Sequence, residues 1–280
     1  LVIEAVKKEG YAVFNADDEY CMMIKDRAKA NLILYSANAN NEHLNNHIKK
    51  GGIGLYADDK NIYICQGNKT TMLMSIDQIP ATMGGILKHN VYNALAAASG
   101  AYGLGIKTEN IIKGLSTFES NDKDNPGRFN QFDVNGVKVI IDYGHNIDGY
   151  KYVLDSLKQM KKKKLIGVIG VPGDRTDSST ITIGEMSANS FDKIYIKEDK
   201  DKRNRKPGEI AALLKKGCQL GSIPESEITI ELSEEKALEM AIAAAEPDDI
   251  VVVFYEEYEP LVRVIEKMKT SYEKTGLIIA

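Results

Sequence analysis

The chain has 280 residues, of which 43% are hydrophobic and 27% are charged, as in an ordinary globular protein. Its net charge of −4 argues against nucleic-acid binding as the main function, and no apolar run approaches the roughly 18 residues of a membrane span. The three cysteines, Cys21, Cys65 and Cys218, are odd in number and far apart, which excludes a disulfide framework and a CxxC metal site. These features predict a cytoplasmic protein without nucleic-acid or membrane partners.

Residues 1–124 are predicted to form a first domain that mixes short strands and helices. The strands are expected at residues 11–15, 31–36, 53–56, 61–65 and 71–75, and the helices at residues 1–10, 20–29, 90–103 and 108–117. A polar, asparagine-rich loop is expected after the second strand, and Thr108 is expected to cap the last helix. Because the chain begins without Met inside a helical pattern, we expect it to be part of a longer protein.

Residues 125–280 are predicted to form a second domain, which follows a polar linker at residues 119–125. Its strands are expected at residues 137–142, 165–170, 193–197, 228–232 and 250–254, with a helix after each. They are nearly continuous in Ile and Val, as strands covered on both faces are, and their spacing is that of βαβ units. The predicted fold class is therefore α/β, with a Rossmann-like, doubly wound and mostly parallel sheet in the second domain.

Three polar side chains end the first strand of the second domain: Asp142, His145 and Asn146. In an open α/β sheet, ligands bind beyond the carboxyl ends of the strands, so these residues are candidates for a binding site. The competing interpretation is a helix N-cap, in which Asn146 or Asp148 caps the next helix and His145 is exposed.

Two charged loops follow the next two strands and should open at the same edge of the sheet. Their candidate residues are Asp174, Arg175 and Asp177 in the first loop and Lys197, Glu198, Asp199, Arg203 and Arg205 in the second. Arginines beside carboxylates can hold a zwitterionic amino acid, because a guanidinium group binds a carboxylate with two parallel hydrogen bonds. Taken alone, the second loop is more typical of a solvated charge run.

Further candidates lie at the domain junction and in the first domain. Arg128 is placed to reach a phosphate or, alternatively, to form a linker salt bridge. His89, Asn90 and Asn93 lie near a predicted helix start, and the two amides share a face because they are three residues apart. An amide offers a donor and an acceptor together, which suits a nucleobase edge; the alternative is a capping Asn with a surface His.

Two other segments of the first domain are interpreted as turns. Gly67 and Lys69 invite comparison with a phosphate-binding loop, but Asn68 separates them and the earlier glycine is missing, so a hairpin turn is predicted. The run Asn15–Asp18 ends a strand and is typical of an Asx turn.

The order of these motifs resembles the Mur ligase superfamily of ATP-dependent amide-forming enzymes. In chain order the motifs are Asn15-Ala16-Asp17-Asp18, His89-Asn90-Val91-Tyr92-Asn93-Ala94, Pro126-Gly127-Arg128-Phe129 and Asp142-Tyr143-Gly144-His145-Asn146. The two charged loops and the closing run Tyr255–Pro260 are similar to the cyanophycin synthetase family in particular. The resemblance covers essentially the whole chain.

The resemblance implies a reaction and a set of roles. In Mur ligases, ATP phosphorylates a carboxylate and an amine attacks the acyl phosphate. By this resemblance, the nucleotide-binding residues are His89, Asn90 and Asn93 at the adenine, Asp142 at the ribose, His145 and Asn146 beside the nucleotide, and Arg128 at the phosphates. Arg128 and His145 are the catalytic candidates. The charged loops would hold the incoming amino acid. In cyanophycin synthetases this amino acid is arginine, which is joined to the β-carboxyl of a poly-aspartate acceptor. Acids such as Glu198 and Asp199 would suit the guanidinium group of arginine.

The resemblance also implies ATP and Mg²⁺ as cofactors, with the phosphate-binding loop and the magnesium ligands before residue 1. We therefore expect this chain alone to be inactive, because phosphoryl transfer depends on positioned phosphates and magnesium. No metal ligand is predicted among the candidate residues, and the number of subunits is left open, a homo-oligomer included. Gly144, Ile147 and Asn204 stand where Ala, Pro and Gly are usual, and the change at Asn204 bears most on amino-acid specificity.

Two alternatives stay open at this point. One is a Mur or folylpolyglutamate-type ligase with another acceptor. The other is a non-catalytic module that binds a nucleotide or an amino acid.

Overall fold

A computed structural model describes residues 2–279, with side chains as far as residue 271. The chain folds as two compact units, Leu1–Glu119 and Ser120–Ala280, and each is described by itself. The predicted domain limits, at residues 124 and 125, lie a few residues further along the chain and stay a prediction. No helix within residues 2–279 combines the length and the apolar character needed to cross a membrane.

The first unit is built on a five-stranded sheet in the order β1-β2-β3-β4-β5, in which β1, β2 and β3 are parallel and β4 and β5 run antiparallel. Its elements are β1 (Tyr11–Asn15), α1 (Glu19–Ile24), β2 (Asn31–Ser36), α2 (Glu42–Lys49), β3 (Ile53–Ala57), β4 (Asn61–Gln66), β5 (Lys69–Ser75), α3 (Lys88–Gly103) and α4 (Thr108–Thr117).

Helices cover both faces of this sheet. Alternate residues of a strand point to opposite faces, so neighbouring residues of β2 pack against different helices. Ile33 packs in one cluster with Leu95 and other small or aliphatic residues of α3. Its neighbour Leu34 packs in a second cluster with Met22 of α1 and Leu44 of α2. The alanine-rich sequence of α3 allows its backbone to approach the strands closely.

Four predictions for the first unit need correction. The initial helical pattern forms only a 3-10 turn, Val2–Ala5, in which no residue is buried, so tertiary packing does not sustain a helix there. The predicted helix at residues 20–29 ends earlier, at Ile24, and continues as a 3-10 turn. The asparagine-rich loop contains α2, which the sequence hides because Leu44 is its one buried residue. The N-cap of α4 is Lys107, and Thr108 is the first helical residue.

The two predicted turns of the first unit are confirmed. Gly67 has a φ of +57° and lies between β4 and β5, whose paired residues Gln66 and Lys69 close the hairpin. At the end of β1, the backbone N–H of Asp17 donates to Asn15 Oδ1 at 3.0 Å, which is an Asx turn.

The second unit is built on a six-stranded sheet in the order β10-β9-β8-β11-β7-β6, parallel throughout except for β6. Its elements are β6 (Asn130–Val134), β7 (Val137–Asp142), α5 (Ile147–Gln159), β8 (Leu165–Ile169), α6 (Asp177–Ala188), β9 (Lys193–Ile196), α7 (Glu209–Cys218), β10 (Ile228–Ile230), α8 (Glu234–Ala243), β11 (Ile250–Phe254) and α9 (Tyr258–Ile279). The predicted α/β class and mostly parallel sheet are confirmed.

The antiparallel strand β6 is the element of this unit that the sequence analysis missed. It pairs with β7 through a two-residue turn in which Asn135 and Gly136 have φ values of +53° and +81°. An Asn-Gly pair between two strands is a strong hairpin signal, because both residues tolerate positive φ. The signal was therefore present in the sequence.

The interior of the second unit follows the predicted pattern. Every residue of β8 and of β11 is buried, in keeping with their continuous runs of aliphatic side chains. One face of the sheet packs against α8 and α9, in a cluster that includes Val251, Val253, Leu238 and Leu261. Because β7, β8, β9 and β11 are parallel, their carboxyl ends lie at the same edge of the sheet.

Candidate active site

Four loops meet at this edge of the second unit. Asp142 ends β7, Gly170 follows β8, Lys197 follows β9 and Tyr255 follows β11. Since β11 lies between β7 and β8, the order of the strands reverses here, which is where open α/β sheets hold their ligands. The predicted site residues of the second unit all lie in or beside these loops.

Asp142 organises the backbone at the end of β7. Its carboxylate is buried and accepts two backbone hydrogen bonds, from Gly144 N–H at 2.8 Å and from Phe129 N–H at 3.0 Å. Burial raises the pKa of this carboxyl to about 6, although the two N–H donors and the nearby Arg128 act to lower it. Asp142 therefore joins the turn after β7 to the segment before β6.

Arg128 is presented by an unusual stretch of backbone. Gly127 and Phe129 on either side have φ values of +76° and +54°, and Phe129 is fully buried. A Cβ atom at position 127 would come within 1.9 Å of Tyr255 Oη, so this position requires glycine for space as well as for conformation. The exposed guanidinium of Arg128 lies over the ring of Tyr143, with its central carbon 4.9 Å from the ring centroid, a cation–π contact.

Asn146 and His145 occupy the start of α5. Asn146 Oδ1 accepts a hydrogen bond from Gly149 N–H at 2.8 Å, so the helix-cap interpretation is confirmed for this residue. His145 is half-buried, and its Nδ1 lies 3.0 Å from the carbonyl oxygen of Tyr143. Because a carbonyl oxygen can only accept, Nδ1 is the donor of this hydrogen bond, and Nε2 is the ring nitrogen that remains for another partner.

Arg205 joins the two charged loops to each other. Its Nε donates to the carbonyl of Gly173 at 2.9 Å, and one terminal nitrogen donates to the carbonyl of Arg175 at 2.9 Å and to Asp177 at 2.7 Å. The other terminal nitrogen donates to Glu209 at 2.7 Å. All of these acceptors belong to the chain, so Arg205 fixes the position of the two loops relative to each other.

The exposed charges of the site lie on the rim of these loops. Asp174 forms ion pairs with Arg203 and, at 3.5 Å, with Arg175. Asp201 lies 3.7 Å from the Nε of Arg203, and its side chain is 70% exposed. Asn204 has a φ of +71°, which Asn tolerates better than most residues, so it fits where glycine is usual.

Glu198 and Asp199 do not share this exposure. The two oxygens of Glu198 accept hydrogen bonds from Gly208 N–H at 2.9 Å and from Ala211 N–H at 3.0 Å, which caps the start of α7. Asp199 lies 2.7 Å from the ammonium of Lys197, whose side chain is 1% exposed. The acids expected to recognise a guanidinium are thus engaged within the chain.

The sequence analysis missed two acids of this edge. Glu234, the first residue of α8, is buried and forms an ion pair with Lys197. Glu256 follows β11 and accepts the backbone N–H groups of Lys200 and Asp201. An acid in the first turn of a helix is common, so Glu234 carries no special signal in the sequence. Glu256 lies in the closing run Tyr255–Pro260, which resembles the cyanophycin synthetase family but does not by itself indicate a role for this acid.

The candidates of the first unit lie at the start of α3. The helix begins at Lys88, so Asn90 lies inside its first turn and does not cap it. Asn90 Nδ2 donates to the carbonyl of Ala81 at 2.6 Å, and its Oδ1 accepts from Asn93 Nδ2 at 3.1 Å. The two amides therefore share a face; Asn93 is exposed and His89 is half-buried.

No group of three His, Cys, Asp or Glu side chains suited to a metal ion occurs among the residues that the structure describes. The carboxylates of the candidate site are instead engaged by cationic side chains and backbone N–H groups. This donor set does not fit Mg²⁺. The ion usually keeps several of its own waters and needs one or two carboxylates that are not already engaged by cations or N–H groups.

Two family descriptions match the chain. Residues 1–101 match the Mur ligase middle domain, and residues 127–254 match the Mur ligase, glutamate ligase domain. Among solved structures, a pseudomurein peptide ligase type C from Methanothermus fervidus superposes with a TM-score of 0.63 at 20% identity, covering 95% of this chain and 58% of that one. MurF ligase from Thermotoga maritima in complex with ADP gives a TM-score of 0.59 at 18% identity, covering 97% of this chain and 56% of that one. These identities support the fold alone.

The fold is therefore that of a Mur ligase, and the chain belongs to the Mur ligase family, with a middle domain followed by a C-terminal domain. Within that family it is 37% identical over 269 residues to the cyanophycin synthetase of Synechocystis sp. and 34% identical over 267 residues to that of Crocosphaera subtropica. These alignments cover 96% and 95% of this chain but 31% and 30% of the relatives, so the chain spans about a third of their length. Identity to a diaminopimelate ligase of Cytophaga hutchinsonii is 27% over 258 residues, covering 90% of this chain and 48% of that ligase.

Proposed function

We propose that this chain is the part of an ATP-dependent amino-acid ligase that contacts the nucleotide and the incoming amino acid. One observation carries the proposal: Arg128 is exposed at the carboxyl edge of the sheet, where open α/β sheets bind ligands, and the buried Asp142 fixes it there through Phe129. An oriented guanidinium at such an edge suits phosphate recognition. The family relationship supports the same reaction class.

In the proposed reaction, the γ-phosphoryl group passes from ATP to a carboxylate, and the amine of an amino acid attacks the acyl phosphate and releases phosphate. Arg128 binds the phosphoryl oxygens, where its charge stabilises the transition state. Its stacking on Tyr143 limits the orientations of the guanidinium plane. His145 presents Nε2 as a base for the proton that the attacking ammonium group must lose.

ATP and Mg²⁺ are the proposed cofactors. Asp142 keeps lone pairs for ribose hydroxyl groups beyond the two N–H donors that it already accepts. The remaining nucleotide contacts are assigned to Asn146 and, at the adenine, to His89, Asn90 and Asn93. Mg²⁺ neutralises phosphate charge when bound, and no ligand for it is assigned among the residues of this chain.

Arginine is the proposed amino acid, and a poly-aspartate chain with a free β-carboxyl is the proposed acceptor. Asp174 and Asp201 are the exposed acids offered to the guanidinium, since the side chain of Asp174 is 44% exposed and that of Asp201 is 70% exposed. Arg175 and Arg203 are the proposed partners of the α-carboxylate. The identity to cyanophycin synthetases supports this choice of substrates.

The test is ATP-dependent ligation by the natural protein that contains this chain, with arginine, lysine, ornithine, diaminopimelate and glutamate offered in parallel. We expect incorporation of arginine into a poly-aspartate acceptor and a loss of about 100-fold or more in kcat for R128A. The matched control is D155N, on the exposed side of α5, which should retain activity. A preference for diaminopimelate or glutamate would favour another Mur-type ligase, and binding without any ligation would favour a non-catalytic module.

We further propose that the 280-residue chain alone does not turn over ATP. Its sequence contains no Gly-Lys pair, and hence no phosphate-binding loop of the GxxxxGK type. Phosphate release from ATP, measured with the purified chain and arginine, is expected to equal the protein-free background. Ligation above that background would contradict this part of the proposal.

A further inference from the structure

We propose that Lys197 is a positioning residue of the amino-acid-binding loops, which it holds through a closed ring of ion pairs and hydrogen bonds without touching the amino acid itself. Its effect on substrate rests on the proposed ligase function, whereas the ring is a property of the fold. This role differs from the direct substrate contact expected from the sequence.

Lys197 is enclosed beneath the two charged loops. Its side chain is 1% exposed, and its aliphatic part runs so close to Gly170 that a Cβ atom there would lie 2.4 Å from Lys197 Cε. The ammonium lies 2.7 Å from Asp199 Oδ1 and forms a second ion pair with Glu234. Burial lowers the pKa of Lys197, but the two carboxylates outweigh burial and raise it above its ordinary value, so the group stays charged.

The contacts continue from Glu234 into the loop after β11 and back again. Glu234 accepts hydrogen bonds from Glu256 N–H at 2.8 Å and from Glu257 N–H at 3.2 Å. The side chain of Glu256 then accepts the backbone N–H groups of Lys200 and Asp201, the latter at 3.1 Å. These two residues belong to the loop that starts at Lys197, so the ring closes on itself.

The ring fixes the second charged loop against two other elements, the start of α8 and the end of β11. Asp201 belongs to the ring, and Arg203 lies two residues further along the same loop; both are proposed substrate contacts. Removing the ammonium leaves the buried Glu234 and the partly buried Asp199 without their shared cation, which forces the loop to rearrange. An amino acid bound at the rim would experience that rearrangement without ever reaching Lys197.

The kinetic test compares K197M with K193M in the natural protein that contains this chain. Lys193 is the first residue of β9, the strand that Lys197 follows. It pairs at 3.4 Å with Glu227, and both side chains are partly exposed, so Lys193 is a matched control. We expect K197M to raise KM for arginine about 10-fold or more while KM for ATP stays within about 2-fold, and K193M to change neither. An unchanged KM for arginine in folded K197M would overturn the proposal.

A second substrate separates positioning from contact. Argininamide lacks the carboxylate that a substrate-binding lysine would recognise. If Lys197 only positions the loop, K197M should weaken both arginine and argininamide, because the guanidinium that they share is proposed to contact Asp201 of that loop; arginine should lose more, since its carboxylate is proposed to contact Arg203 as well. A loss confined to arginine would show direct contact and would overturn the proposal.

Hydrogen–deuterium exchange tests the ring whether or not the protein is a ligase. In K197M, the amides of residues 198–201 and 256–257 should exchange about 10-fold faster or more, while those of β7 stay as they are. Faster exchange throughout the second unit would mean that Lys197 serves stability alone. E256Q provides a milder break in the same ring, and the double variant should add little to K197M; full additivity would contradict a closed ring.

Discussion

Asp142 combines two tasks that a surface acid could not perform. Its buried carboxylate fixes the N–H groups of Phe129 and Gly144, and in doing so holds the backbone that presents Arg128. Burial is unfavourable for the charged form, and the pKa of about 6 reflects this. The arrangement at this residue therefore has a measurable dependence on pH.

The unfolding free energy should carry the signature of Asp142. Because the pKa in the folded protein lies above that of an unfolded aspartate, the folded form binds the proton more tightly, and stability falls as pH rises from about 4 to about 6. Two pKa units correspond to about 3 kcal/mol. Urea unfolding across this window should show the slope in the wild type and not in D142N.

The exposed D155N variant is the control for that measurement, since Asp155 pairs with Lys158 at the surface of α5. It should keep the slope. A carboxyl ¹³C resonance with a midpoint near pH 6 that persists in D142N would assign the raised pKa to another residue.

Helices α6 and α7 begin where the two charged loops end. They pack through glycines: a Cβ atom at Gly184 would lie 2.3 Å from the carbonyl oxygen of Leu214, and one at Gly217 would lie 2.0 Å from that of Ile181. Backbone atoms cannot move aside as a flexible side chain can. Since α6 follows one loop and α7 follows the other, this close packing supports the contacts that Arg205 makes between them.

We expect G217A to destabilise the second unit by about 2 kcal/mol or more, because overpacking outweighs the better helix propensity of Ala. The control is G114A in α4, where a Cβ atom would meet nothing within 4 Å. That variant should stabilise by about 0.5–1 kcal/mol. The melting temperatures of both variants test this prediction: G217A should melt at a lower temperature than G114A, and equal melting temperatures would refute the packing argument.

The sequence predicted elements well where one physical signal dominated. The aliphatic runs of β8 and β11 and the small residues of α3 needed no tertiary information. Helix α2 was missed because its pattern is almost entirely polar, and β6 was missed although Asn135-Gly136 signalled its hairpin. The edge of the candidate site followed from topology, whereas the burial of Glu198 could not, since charge in a sequence does not reveal its partner in space.

Each of the two units contains a sheet and core clusters of its own. Leu95 of α3 and Leu238 of α8 are both fully buried leucines, one in each unit. They are chemically matched sites at which to test how far a disturbance spreads through the whole chain.

We expect L95A and L238A each to cost about 2–5 kcal/mol, because truncation removes buried methyl groups and leaves a cavity. The effect should stay within the unit that carries the substitution. Hydrogen exchange should rise in β2 to β4 for L95A and in β8, β9 and β11 for L238A. Comparable increases in both sheets from either substitution would argue against two separate cores.

Some charged residues of the loops support the loop structure and others are exposed at the rim, and this difference matters for changing the amino-acid specificity of the protein. Lys197, Glu198 and Arg205 are engaged by backbone or buried partners, so exchanging them would dismantle the loops before it altered selectivity. Asp174, Asp201 and Arg203 stand at the rim and contribute little to the interior. A directed-evolution library would therefore do best to randomise these three rim positions over an unchanged interior.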